Sequence, residues 1–144
     1  MKEKTQEKLP NCNKQSYYEG EFQNGEITGK GVYVYSNGNV YKGEFLEGEK
    51  HGQGVFNTDY EQYTGEFQYN QYHGDGIIKK SNGDVIEGQF KNHKPHGNCE
   101  INIISKQEKY IGQMQNGLKH GEGEYTIPNY SYKGNFENDK KMER

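Results

Sequence analysis

A chain of 144 residues that is 28% hydrophobic, with a mean hydropathy of −1.31, has too little apolar side chain for an ordinary globular core. Thirteen tyrosines, six phenylalanines and 20 glycines are equally unlike a disordered chain, which is poor in aromatics. The formal net charge of −3 argues against nucleic acid as a partner, and no apolar run is long enough for a membrane-spanning helix.

Residues 1–16 hold four Lys against two Glu, with no secretory signal, and Lys at position 2 excludes N-myristoylation. This segment is expected to be a disordered polar tail. Cys12 and Cys99 lie far apart, without C-x-x-C spacing, and are expected to be free thiols of a reducing compartment.

From residue 17 to 139 the chain is periodic, with units beginning at Tyr18, Tyr41, Tyr63, Ile86, Tyr110 and Tyr132. Two residues after each stands a glycine: Gly20, Gly43, Gly65, Gly88, Gly112 and Gly134. Two further on stands Phe22, Phe45, Phe67, Phe90, Met114 or Phe136. The residues between are polar, Ile111 excepted, so the pattern alternates as in a strand with one wet and one packed face. A glycine at the centre of all six units argues against helix, where it costs about 1 kcal/mol relative to Ala. On the packed face it is expected to leave room for a side chain of a neighbouring strand.

Three residues past the Phe or Met the series reads Gly25, Gly48, Asn70, His93, Gly117 and Asp139. These residue types best tolerate the left-handed region, which predicts a positive-φ turn inside every unit. A G-x-G, with His before it in most units, opens the second strand; Cys99 takes the second glycine's place in the fourth unit. Its apolar residue is Tyr33, Phe56, Ile78, Ile101 or Tyr125. Asn37-Gly38 and Asn82-Gly83 then join one unit to the next, and Asn-Gly predicts a type I′ turn. Residues 140–144 are expected to be a short tail. The predicted fold is all-β: an elongated, single-layer antiparallel meander of about six hairpin repeats and roughly eleven short strands. At about 4.8 Å per strand it spans on the order of 50 Å, and its twist turns the packed face into a trough.

Tyr41 to Gly54 reads Y-K-G-E-F-L-E-G-E-K-H-G-Q-G, and Tyr110 to Gly123 reads Y-I-G-Q-M-Q-N-G-L-K-H-G-E-G. Both resemble the MORN repeat, Y-x-G-x-F-x-x-G-x-x-H-G-x-G. Asn70, Ile86, His93 and Cys99, in the third and fourth units, depart from it. The resemblance implies a β-hairpin solenoid used for assembly. Small stand-alone members look most like ciliary and flagellar parts such as radial spoke head proteins. Others, including plant phosphatidylinositol phosphate kinases and the junctophilins, are associated with membranes and phosphoinositides.

The residues point away from catalysis. His51, His73, His96 and His120 recur once per unit, but equivalent positions about 10 Å apart cannot share an ion whose ligands lie about 2 Å from it. Each G-x-G precedes a strand, with no helix N-terminus to hold phosphate. No enzyme activity, metal or cofactor is expected. The functional feature is the ladder of Tyr18, Phe22, Tyr33, Tyr41, Phe45, Phe56, Tyr63, Phe67, Ile78, Phe90, Ile101, Tyr110, Met114, Tyr125, Tyr132 and Phe136. With no second layer to cover it, this ladder is expected to form a groove for a helix or extended segment of other proteins in a large assembly. Burial of the rings against one another, self-association through the open edges and binding of anionic lipid are the competing readings. The expected role is a scaffold or adaptor in the cytoplasm and cytoskeleton, foremost in the ciliary or flagellar axoneme, with a phosphoinositide-binding or membrane–cytoskeleton linker as the alternative.

Overall fold

The computed structural model describes residues 3–8 and 15–142. Thirteen strands are found among them, side by side in chain order, each antiparallel to the next. They are β1 (Glu3–Lys8), β2 (Tyr17–Gln23), β3 (Glu26–Val34), β4 (Val40–Leu46), β5 (Glu49–Asn57), β6 (Glu61–Gln68), β7 (Gln71–Lys80), β8 (Val85–Lys91), β9 (Lys94–Ile103), β10 (Glu108–Gln115), β11 (Leu118–Ile127), β12 (Tyr130–Glu137) and β13 (Lys140–Lys141). A 3₁₀ turn at Ile104–Lys106 joins β9 to β10. β1 and β13 do not pair, so the sheet is an open meander, and twelve strand spacings give it a length of about 58 Å.

Two strands exceed the expectation. β1 lies within the predicted polar tail and pairs Thr5 with Gly20, and β13 lies within the predicted C-terminal tail and pairs with Phe136 and Glu137. Neither segment has a repeat signature, but pairing to a sheet edge needs only backbone groups, and β2 and β12 offer them. Cys12 and the rest of residues 9–14 lie outside the described residues.

The turns exchange the predicted types. Inside the repeats, both central residues have positive φ in every unit: Asn24-Gly25, Glu47-Gly48, Tyr69-Asn70, Asn92-His93, Asn116-Gly117 and Asn138-Asp139. These two-residue loops carry the I′ geometry, and the six positions predicted to have positive φ all do. At Asn37-Gly38 and Asn82-Gly83 only the glycine is left-handed, at φ 94° and 99°. The Gly38 amide donates to the Tyr35 carbonyl at 2.9 Å, and the Tyr35 amide donates to Asn39 across the loop at 2.8 Å. This is the three-residue loop that ends in a left-handed glycine. Each asparagine Oδ1 accepts from the amide two residues on, which favours this loop over I′.

Register places every repeat in step. One rung runs Tyr18, Tyr33, Tyr41, Phe56, Tyr63, Ile78, Ile86, Ile101, Tyr110, Tyr125, Tyr132 across successive strands. The next runs through glycines from Gly20 to Gly134, broken only by Cys99. The glycines seat the repeat's own tyrosine rather than a neighbour's side chain. A Cβ on Gly54 would overlap the Tyr41 hydroxyl, and one on Gly43 would come within 2.5 Å of the Gly54 Cα. The ring lies down over the glycine pair, and the hydroxyl donates to the carbonyl three residues on. Tyr41 reaches Glu44 at 2.7 Å, Tyr63 reaches Glu66 at 2.7 Å and Tyr110 reaches Gln113 at 2.6 Å.

Just past the glycine rung each complete hairpin shifts register, and the second strand turns through a glycine with φ between 59° and 100°. The amide following it is satisfied by a side chain of the first strand. Glu44 Oε2 accepts from Gln53 at 2.7 Å, Glu66 Oε2 from Asp75 at 2.8 Å and Gln89 Oε1 from Asn98 at 3.0 Å. The polar residue after Y-x-G, read from sequence as a wet-face residue, is therefore a structural acceptor. The restriction to Glu, Gln or Asn at Glu21, Glu44, Glu66, Gln89, Gln113 and Asn135 is the sequence signal for it.

Candidate partner-binding face

The ladder divides in two. Its first-strand members form the core: Tyr18, Tyr41 and Tyr63 are 0% exposed, and Phe45, Phe67, Phe90, Tyr110, Met114 and Phe136 are buried with them. Each tyrosine meets the phenylalanine of its own and the next repeat edge-on. Tyr41 lies 4.9 Å from Phe45 and 5.0 Å from Phe67, and Tyr63 lies 5.0 Å from Phe67 and 5.4 Å from Phe90. Each such pair adds about 0.5–1.5 kcal/mol to the area it buries. These residues, expected to line the groove, are its floor and are closed to solvent. Burial pushes the phenols of Tyr41, Tyr63 and Tyr72 well above the usual tyrosine range and that of Tyr110 up to about 12.

The second-strand members stand upright and stay partly exposed. Tyr33, Phe56, Ile101 and Tyr125 do so, together with Phe22 and Tyr132 at the two ends, whereas Ile78 is buried. Tyr35, two residues past the expected position, joins this row: its ring lies 4.6 Å from Tyr33 and 5.9 Å from Phe56. Alternation places it on the same face, which is the signal that could have found it.

Lysines reach over the row, a feature the sequence reading missed. Lys50 Nζ lies 4.8 Å from the Phe56 ring and 5.0 Å from Tyr35, and burial there lowers its pKa. Lys119 lies 4.8 Å from Tyr125, and Lys141 lies 4.4 Å from Tyr130 and 5.4 Å from Tyr125. All three occupy one repeat position, two residues past the I′ turn. Tyr72 holds it in the third unit, stacked on Tyr63 at 3.8 Å, and Pro95 in the fourth.

The aromatic face carries a groove floored by the reclining tyrosines, and further hollows lie elsewhere. Hollows of about 590 and 430 Å³ open on the opposite face, one between Glu19, Lys30, Val32, Lys42 and Glu44, the other between Ile111, Glu122, Glu124 and Lys133. On the aromatic side the reclining tyrosines fill that space. What remains there is a shallower aromatic groove with a pocket of about 150 Å³ near Ile101, Ile103, Tyr110, Met114 and Tyr125.

The recurring histidines lie in the bulges. His96 Nδ1 accepts from Asn116 at 3.3 Å, and the His51 ring meets Tyr69 edge-on. Among the described residues no group of three His, Cys, Asp or Glu is placed to hold a metal ion, and no helix is long and apolar enough to cross a membrane.

A sheet in which successive hairpins repeat a common turn and, where complete, a common bulge, and contact chiefly their neighbours, defines an open β-hairpin repeat array. The MORN repeat profile matches residues 18–40, 41–57, 63–85, 87–101 and 110–131, most of the chain, and the protein belongs to the MORN repeat family. No curated protein matches the chain.

Proposed function

We propose that the array is a scaffold on whose aromatic face proteins of a larger assembly dock. The observation that carries this reading is the partly exposed apolar side chains of Tyr33, Tyr35, Phe56, Ile101, Tyr125 and Tyr132 on one face of the sheet, with no second layer over them among the described residues. The assembly is a cytoskeletal one, foremost the ciliary or flagellar axoneme, where the protein acts as a radial-spoke-like component. Support for that location is the resemblance of the repeats to those of axonemal members of the family.

The test is to follow a tagged protein in the native cell and compare its co-purifying partners with those of Phe56→Ser/Tyr125→Ser. These partly exposed rings are substituted because the buried Phe45 and Phe67 would take the core with them. Axonemal localisation, with partners released by a folded double variant, is the expected result; diffuse localisation or unchanged partners would overturn it.

A second reading, as a membrane–cytoskeleton linker, draws on Lys79 and Lys80, exposed side by side at the end of β7. Salt-sensitive flotation with phosphoinositide vesicles, abolished by charge reversal of both lysines, would favour it over the scaffold.

A further inference from the structure

Lys50 and Lys119 fold over rings of the aromatic face at equivalent positions, and they differ in the charges around them. At Lys119 the carboxylate of Asp139 accepts from the lysine's own backbone amide at 2.7 Å. Glu108 accepts from the hydroxyl of Tyr125, the ring beneath the ammonium, at 3.0 Å. At Lys50 neutral residues hold both of these places. Asn70 Oδ1 accepts from the Lys50 amide at 2.8 Å, and Asn39 stands two residues before Tyr41 as Glu108 stands two before Tyr110. The ring in the place of Tyr125 is Phe56, which has no hydroxyl to engage a carboxylate.

Lys50 is thus a cation without a counter-charge. Its Nζ lies 5.0, 5.6 and 4.8 Å from the centres of Tyr35, Tyr41 and Phe56. A lysine beside a turn ordinarily sends its ammonium to water. Here three rings replace part of that hydration, and the burial lowers its pKa. Among the described residues no Asp or Glu lies in ion-pair range of Lys50 Nζ. Glu61, on the same face one repeat further, accepts from the Tyr72 hydroxyl at 3.4 Å and stands cross-strand from Lys80. His93 is close enough to feel the Lys50 charge. Desolvation, and after it that charge, lower its pKa, so the imidazole is neutral at pH 7 and adds no second cation. The site therefore presents one positive charge among the partly exposed rings of Tyr33, Tyr35 and Phe56.

We infer that Lys50 receives a carboxylate from a partner protein, whose docking segment presents one Asp or Glu between bulky apolar side chains to the aromatic face of the first three repeats. The apolar side chains lie on Tyr33, Tyr35 and Phe56, and the carboxylate supplies the negative charge that Asn39 and Asn70 withhold. A lone ammonium selects a monoanion. A phosphoryl group carries nearly two charges, and an anionic lipid surface calls for clustered Lys or Arg. The carboxylate meets a cation that is already partly desolvated, where attraction between charges is stronger than in bulk water. The inference rests on the reading of the aromatic face as the docking surface, and adds the partner's chemistry and the end of the array it engages.

The test selects short random peptides, displayed on phage, against the full chain, then measures the enriched peptides against variants by fluorescence anisotropy. The expected sequences share one Asp or Glu flanked by large apolar residues. Lys50→Gln should weaken them about tenfold, between the effects of an exposed and a buried ion pair. Lys50→Arg, which keeps the charge, should retain most of the affinity, and Lys106→Gln, which removes an exposed charge elsewhere, should retain all of it. In the unaltered chain, an NMR titration of the Lys50 ε-carbon should show its pKa rising when the peptide binds, a readout that stands even if Lys50→Gln fails to fold. Peptides lost on Phe56→Ser but indifferent to Lys50→Gln, or an unmoved Lys50 pKa, would overturn the inference and leave the aromatic face standing. Peptides indifferent to both residues would overturn both readings, as would the absence of any enrichment. Binding to phosphatidylserine vesicles that needs Lys50, with no acidic peptide selected, would assign the ammonium to lipid and sink the inference.

Discussion

The second and fourth repeats solve one packing problem in two ways. In the second, Tyr41 reclines over Gly43 and Gly54, and its hydroxyl donates to the Glu44 carbonyl. In the fourth, Ile86 stands in the tyrosine's place and Cys99 in the second glycine's, so the thiol occupies the space the ring would take. Cys99 Sγ then donates to the Gln89 carbonyl at 3.4 Å, the bond the tyrosine makes elsewhere. Two departures from the repeat, each disruptive alone, compensate as a pair. A repeat is therefore defined by a filled seat and a satisfied carbonyl, and the residues Y-x-G and G-x-G are one means to that end.

Breaking that pairing gives the largest expected effect. Gly54→Cys puts a side chain where the Tyr41 ring lies and should destabilise the array by about 3 kcal/mol or more. Adding Tyr41→Ile recreates the fourth repeat and should recover most of the loss. Urea unfolding of wild type, the single and the double variant measures the coupling; additive losses would show that the two seats are unrelated.

The next largest effect compares the acceptors. Glu44 offers a carboxylate to the Gln53 amide at 2.7 Å, whereas Gln89 offers a neutral amide oxygen to Asn98 at 3.0 Å. Charge-assisted bonds are roughly twice as strong. Glu44→Ala should cost about 2 kcal/mol and Gln89→Ala about 1 kcal/mol, and hydrogen exchange at Gln53 and Asn98 should accelerate in the same order. Cys99→Ala tests the thiol's share. It removes a buried group and its bond and should cost about 1 kcal/mol, whereas alanine fitted without loss would reduce the thiol to filler.

These contrasts mark how far the sequence could be read. Strand alternation and the six positive-φ positions were legible because both depend on local backbone and on glycine, Asn, Asp or His at fixed offsets. Which turn was type I′ was not, since Asn-Gly serves both loops and the choice turned on the length of loop between registered strands. The ladder was read as one groove lining, whereas its first-strand members such as Tyr41, Phe45 and Tyr63 are buried and its second-strand members such as Tyr33 and Phe56 are partly exposed. Nothing in the Y-x-G pattern says that the ring lies down on its own glycine and closes to solvent. The lysines over the groove were missed because residues such as Lys50 and Lys119 sit next to turns, where a charged side chain ordinarily points to water.

The smallest effect separates the third and fourth repeats at the turn. Asn70 and His93 hold equivalent positive-φ positions, and each backbone amide donates to the carbonyl of the repeat before, Lys50 or Tyr72. Each side chain also accepts from that same residue's amide. Asn70 Oδ1 takes the Lys50 amide at 2.8 Å, and His93 Nδ1 takes the Tyr72 amide at 3.3 Å. Only the histidine can lose its lone pair to a proton. Desolvation, and after it the nearby Lys50 charge, lower the His93 pKa below its ordinary value. As pH falls below about 6.5 the unfolded chain takes up the proton before the folded one does, so stability declines through the window from there to the folded pKa. At higher pH the contribution is fully present. His93→Asn keeps an acceptor and the left-handed turn but removes the titration, so its melting temperature should be the less pH-dependent of the two between pH 7 and 5. A difference of about a few tenths of a kcal/mol is expected for so exposed a group, and equal slopes would show that the Tyr72 amide does not depend on the ring.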